Sequence, residues 1–137
     1  MHGRILLVDD NVSGSTARKT VLEELGHKIH VTSSGADALE QFAQHKFDLV
    51  VTDYKMPRMD GLELIGRLRK LQPEILIVLV SGFVDALGLS EATTGANAVI
   101  QKSANEVTHL VRSVNRLLRR KKPAAGAAGL KAKRQAS

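Results

Sequence analysis

The 137-residue sequence predicts a doubly wound α/β domain, a five-stranded parallel sheet with helices on both faces. Two observations carry that expectation. Short runs rich in Val, Ile and Leu, the pattern of strands buried on both faces, recur at Arg4–Val8, Leu49–Thr52, Glu74–Val80 and Ala98–Gln101. Between them lie segments whose apolar residues fall at helical spacing, and an alternation of strand and helix joined by right-handed crossovers forces this layering. Hydrophobic residues make up 43% of the chain and aromatics only 3%, so the core must be built from Leu, Val, Ile and Ala.

Arg4–Val8 reads as the first strand and ends in the acidic pair Asp9–Asp10. Asn11 to Ser15 offers capping side chains for a helix with Ala17, Val21, Leu22 and Leu25 at helical spacing, closed by Gly26. Lys28–Thr32 reads as a shorter second strand. Ser34 is placed to cap a helix over Ala36 to Gln44 with Ala38, Leu39, Phe42 and Ala43 inside. The third strand stops at Asp53 and runs into a turn containing Pro57, which bars the strand ladder from continuing. Gly61–Leu71 follows as a helix with Leu62, Ile65, Leu68 and Leu71 towards the sheet. After the fourth strand, ending in Ser81–Gly82, Phe83 to Thr94 is the weakest helix, interrupted by Gly88. The fifth strand ends at Lys102, and Asn105 or Ser103 caps a last helix carrying Val107, Leu110, Val111, Val114, Leu117 and Leu118.

Composition excludes several classes. No Cys is present, hence no disulfide framework, thiolate metal site or cysteine nucleophile. No apolar stretch approaches the roughly 20 residues of a membrane span. The N-terminal MHGRILLVDD reaches its acidic pair too soon for a secretory signal, and a cytoplasmic location is expected. Seven of the 20 basic residues fall within Arg119–Ser137, where no acid occurs, leaving residues 1–118 with 13 basic against 14 acidic, a net of −1. The overall +6 therefore belongs to the tail. A domain over 1–118 followed by a basic, disordered, low-complexity tail over 119–137 is expected. No aromatic interleaves its charges, so specific nucleic-acid binding is not expected, only weak attraction to anionic surfaces.

On a parallel sheet the carboxyl ends of the strands share one edge, and open α/β sheets place ligands there. That edge would gather Asp9 and Asp10, Asp53, Ser81 and Lys102. Taken alone, Asp53 is equally well read as a turn cap or a reactive carboxylate. Converging carboxylates raise each other's pKa unless a cation lies between them, and hard oxygen donors suit Mg²⁺ better than Zn²⁺. A hydroxyl and an ammonium beside such a metal complement a phosphoryl group.

LLVDD at 6–10, TDYKMPRMDG at 52–61, VSG at 80–82 and a Lys after the fifth strand together resemble the receiver domain of two-component response regulators, over about residues 4–118. The resemblance implies a flavodoxin-like sheet of order 2-1-3-4-5 with five helices. It implies that Asp53 is the phosphoacceptor, taking a phosphoryl group from the phosphohistidine of a histidine kinase or phosphotransfer protein. Asp10, Asp53 and the backbone carbonyl of Lys55 would hold Mg²⁺, with Asp9 binding it through water. Lys102 and Ser81 would contact the phosphoryl oxygens.

Two positions depart from the family. Lys102 precedes Ser103 rather than Pro, and no cis bond is assumed there, since one would cost about 2.5–4 kcal/mol. The family's switch aromatic, three residues before this Lys, is Val99. The expected function is a stand-alone receiver, monomer or weak dimer, signalling through contacts with a downstream protein and not acting as an enzyme. A constitutive binding module is the alternative encouraged by Val99 and Ser103. An Mg²⁺-dependent phosphatase with an Asp nucleophile is disfavoured, because such enzymes want a second acid at position 55, which is Lys.

Overall fold

In the computed structural model the described residues are 2–128, with side chains described over 2–120 other than at 86. Five parallel strands form one sheet: β1 (Arg4–Val8), β2 (Lys28–Thr32), β3 (Leu49–Asp53), β4 (Leu76–Ser81) and β5 (Ala98–Gln101). Their order is β2-β1-β3-β4-β5, as the resemblance implied. Every residue of β3 is buried, because helices cover both of its faces. The direction of the chain reverses its progress across the sheet between β1 and β3, which pair from Ile5–Leu49 to Val8–Thr52. The carboxyl ends of these two strands therefore lie side by side, at the position where doubly wound sheets bind ligands.

The helices are α1 (Val12–Glu24), α2 (Gly35–Gln44), α3 (Gly61–Leu71), α4 (Val84–Leu87), α5 (Glu91–Thr94) and α6 (Glu106–Ala128). Two cores result. Leu6, Val8, Val50, Ile77 and Leu79 face α2 and α3 residues such as Phe42, Leu64 and Leu68. Ile5, Leu7, Val51, Val78 and Ile100 face Leu22 of α1 and Leu110, Val114, Leu117 and Leu118 of α6. Asn11, Ser34 and Asp60 each accept a backbone N–H of the first turn of α1, α2 and α3, satisfying donors that a helix cannot satisfy internally.

Several expectations change. The inward face of α1 is Ser15, Arg18 and Leu22; Ala17 and Leu25 are exposed. Ala43 and Leu71 also point to solvent, while Leu64 takes the buried place on α3. The fourth expected helix is two single turns, α4 and α5, because Gly88 adopts a left-handed conformation (φ 65°) that ends α4. The last helix does not stop near 118 but continues to Ala128, across Pro123 and Gly126, against their low helix propensity. The remainder of the expected tail, 129–137, lies outside the described residues. Among the described residues all peptide bonds are trans, including Lys102–Ser103. No helix among them is long and apolar enough to cross a membrane.

Candidate functional site

Asp53 closes β3, with Thr52 before it fully buried and paired to Val8 of β1. The chain then turns: Tyr54 N–H donates to the Val80 carbonyl at 2.9 Å, and Gly61 N–H returns to the Tyr54 carbonyl at 2.7 Å. Gly61 is demanded here by space, since a Cβ would stand 2.5 Å from the Asp53 carbonyl oxygen. The loop between them places Arg58 at a positive φ of 69°. This packing leaves the Asp53 side chain almost wholly buried, at the carboxyl edge of the sheet.

Asp9 is equally buried at the end of β1 and accepts the Asn11 N–H at 2.8 Å. Asp10 is exposed. Oxygens of Asp9, Asp10 and Asp53 lie within 4.8 Å of one another, close enough for one small cation. From the other side of the pocket, Lys102 Nζ reaches Asp53 Oδ1 at 3.2 Å. Ser81 is buried at the end of β4 and its Oγ accepts the Phe83 N–H at 3.1 Å, so it caps the turn that follows. The sheet thus brings Asp9, Asp10, Asp53, Ser81 and Lys102 to one edge. The Lys55 side chain is exposed.

Sequence reasoning missed two members of the site. Arg18, only 3% exposed, donates through Nη1 to Asp9 Oδ2 at 2.8 Å and to Asp53 Oδ1 at 3.2 Å. Its Nε donates to Glu106 Oε2, in the first turn of α6, at 2.7 Å. The signal was available in the spacing: Arg18 stands four residues before Leu22, so a helix that buries Leu22 also turns Arg18 inward. Glu106 offered no comparable signal, because its partner lies 88 residues away.

Electrostatics follow from this crowding. Burial is the largest influence on Asp9, pushing its pKa up to about 7; its hydrogen bond to Asp53 adds to the rise, while the Asn11 N–H and the Arg18 charge oppose it. For Arg18, burial opposes the charged form, but the bond to Glu106 and the charges of Asp53, Glu106 and Asp9 outweigh it and raise its pKa. Asp9, Asp10, Asp53 and Glu106 against Arg18 and Lys102 leave the ionised pocket with excess negative charge, a setting that favours a further cation.

The response regulator receiver domain family model matches residues 5–115, most of the chain and all five strands but for Arg4. The chain belongs to that family. Among curated relatives, the receiver is 34% identical over 93 residues to the transcriptional regulatory protein ZraR of Escherichia coli K12, a match covering 67% of this chain and 21% of ZraR. The chain thus spans about a fifth of the length of that relative. The response regulator receiver protein CpdR of Brucella abortus is 28% identical over 84% of this chain and 96% of its own. Of solved structures, the response regulator TrrA of Thermotoga maritima in complex with Mg²⁺–BeF superposes with a TM-score of 0.75 at 32% identity, covering 83% of this chain and 97% of that one. Receiver domains bind Mg²⁺ at an acidic site, and the hard carboxylate oxygens of Asp9, Asp10 and Asp53 have the donor chemistry for that ion. The receiver is a module of two-component response regulators.

Proposed function

We propose that Asp53 is the phosphoacceptor of this receiver and that the remaining site residues serve its phosphorylation. The observation that carries the reading is the contact of Lys102 Nζ with Asp53 Oδ1 at 3.2 Å beside the Asp9–Asp10 pair, on the edge where the family's acceptor site lies. An Asp53 carboxylate oxygen attacks phosphorus, the phosphorus–nitrogen bond of a phosphohistidine breaks, and the imidazole leaves with that electron pair, giving an acyl phosphate. The donor partner is a histidine kinase or phosphotransfer protein, supported by similar segments in the sensor kinase CckA of Brucella abortus and a probable histidine kinase of Oryza sativa.

Asp10, Asp53 and the Lys55 carbonyl would hold Mg²⁺, with Asp9 reaching it through water. When bound, the ion neutralises charge on the phosphoryl oxygens and on the carboxylates around them. Lys102 follows the phosphoryl group as a point charge, its partly exposed side chain leaving it room to do so. Ser81 accepts from the Phe83 N–H and keeps its own hydroxyl proton to donate to a phosphoryl oxygen.

The receiver acts as a cytoplasmic signalling domain over about 1–118 rather than as an enzyme with turnover, and its output is a contact with a downstream protein. Incubation with Mg²⁺ and acetyl phosphate should add the mass of one phosphoryl group, and Asp53→Asn should abolish the adduct. No adduct with acetyl phosphate or a phosphohistidine donor overturns the acceptor reading in favour of a constitutive binding module, the reading that Val99 at the switch position favours. Sustained hydrolysis of a phosphate ester would mark a phosphatase instead.

A further inference from the structure

We propose that Arg18 is a resident counter-cation of the acidic pocket, and that a divalent cation must displace its guanidinium from Asp9 and Asp53 before it can lie between them. The inference rests on the reading of Asp9, Asp10 and Asp53 as the metal-holding set. One nitrogen of Arg18, Nη1, bridges the two buried carboxylates at 2.8 and 3.2 Å. Nη1 therefore occupies one oxygen of each carboxylate and the space between them that the ion, or the water linking it to Asp9, would take, and both cations are drawn to the same excess of negative charge.

The same side chain has somewhere to go. A cleft of about 340 Å³, continuous with the Asp9 side of the pocket, opens along it and is lined by Asp9, Arg18, Glu106, Asn11, Lys102 and Ser103. Glu106 holds Nε from the start of α6 and belongs to that cleft wall, so the guanidinium can leave the two aspartates while Glu106 retains it. Cation binding in the pocket and the packing of α1 against the start of α6 are then linked, and each biases the other by the same factor. Arg18 acts as a positioning residue: it touches the acceptor carboxylate in the resting protein and leaves when the metal arrives.

Calorimetric titration of the unphosphorylated protein with MgCl₂ tests this. Arg18→Met keeps the aliphatic stem and should bind Mg²⁺ about tenfold tighter than wild type, within the usual range of coupling between ligands. Lys102→Met removes an equal charge at 3.2 Å from the same Asp53 oxygen without unblocking the pair, and should gain clearly less. Unchanged or weaker affinity in Arg18→Met, no Mg²⁺ binding by either protein, or an equal gain in Lys102→Met would overturn the proposal. Should Arg18→Met not fold, wild-type NMR decides it. The Arg18 Nη protons, held distinct by their ion pairs, should merge as Mg²⁺ saturates the pocket, and signals unmoved at saturation would refute displacement. The acetyl phosphate adduct on Asp53 is measured separately, so loss of the acceptor reading and loss of this one are told apart.

Discussion

The two halves of the acidic edge are built differently. On the β1–β3 side, Asp9, Asp53 and Arg18 are all buried and tied into one ion-paired unit that reaches Glu106 of α6. On the β4–β5 side, Lys102 keeps 41% of its side chain exposed, α4 and α5 are single turns, and Phe83 and Leu87 face solvent. A groove of about 470 Å³ bordered by Tyr54, Met56, Phe83 and Leu87 separates α4 from the acceptor loop. Charges buried together interact through a low dielectric and hold their geometry, whereas short helices with few buried apolar contacts open locally at low cost. The first half therefore fixes the geometry of the resting site until a cation displaces Arg18, and the second is the part that opens locally at low cost.

The harshest test of that contrast removes Arg18. Arg18→Met leaves Asp9 and Asp53 without their buried cation and should lower stability by about 3–5 kcal/mol in urea denaturation without metal, with part of the loss recovered in Mg²⁺. A loss well under 1 kcal/mol would erase the distinction between the halves. Gly61→Ala strikes the same side through sterics, because the added methyl meets the Asp53 carbonyl oxygen and Leu79; about 1–3 kcal/mol is expected, read from the urea midpoint.

Asp9 sharpens the comparison through pH. Its carboxyl is raised in the folded state from 3.8 to about 7, so the folded protein holds this proton more tightly than the unfolded chain does. Its contribution to stability is full below about 3.8 and is lost as pH rises through about 7. Between about pH 5 and pH 8 the urea midpoint should fall for wild type and fall less for Asp9→Asn. A wild-type slope unaffected by that substitution would show that another group sets it. Mg²⁺ should bind more tightly over the same rise in pH, because deprotonation of Asp9 adds the negative charge that attracts the ion and accepts from its water.

The open half should yield the smallest stability changes. Lys102→Ala removes a half-exposed ion pair and should cost less than about 1 kcal/mol, yet slow the appearance of the Asp53 adduct. Phe83→Ser, at an exposed ring, should change stability by no more than about 0.5 kcal/mol. A large loss at either position would mean that this side is as tightly held as the other.

Much of the molecule was legible from residue patterns. Four of the five strands fall within or beside the apolar runs, because a strand buried between helices leaves a nearly uninterrupted signature: β3 is Leu49–Asp53 and β4 is Leu76–Ser81, whereas β2, at the sheet edge with only Thr32 buried, does not carry it. Gly26, Ser34 and Gly88 marked helix limits through local backbone chemistry. Helix faces were read less well. On α1 the apolar residues Ala17 and Leu25 suggested the inner face, whereas the helix buries Ser15, Arg18 and Leu22. Apolar spacing misleads where a helix covers an acidic edge, because a buried arginine is then as well satisfied as a leucine.

Asp53, Asp9, Asp10, Ser81 and Lys102 could be collected from the sequence because strand ends in a parallel sheet converge by topology alone, whatever the side chains do. The alternation of strands and helices determined that convergence and the negative character of the pocket. Which cation stands in the pocket was decided only by tertiary structure. Arg18 and Glu106 lie 88 residues apart and carry no shared motif; they meet because α1 and the start of α6 flank the same strand ends. A long side chain is directed by the charges around it, and those charges come together only when the sheet has closed.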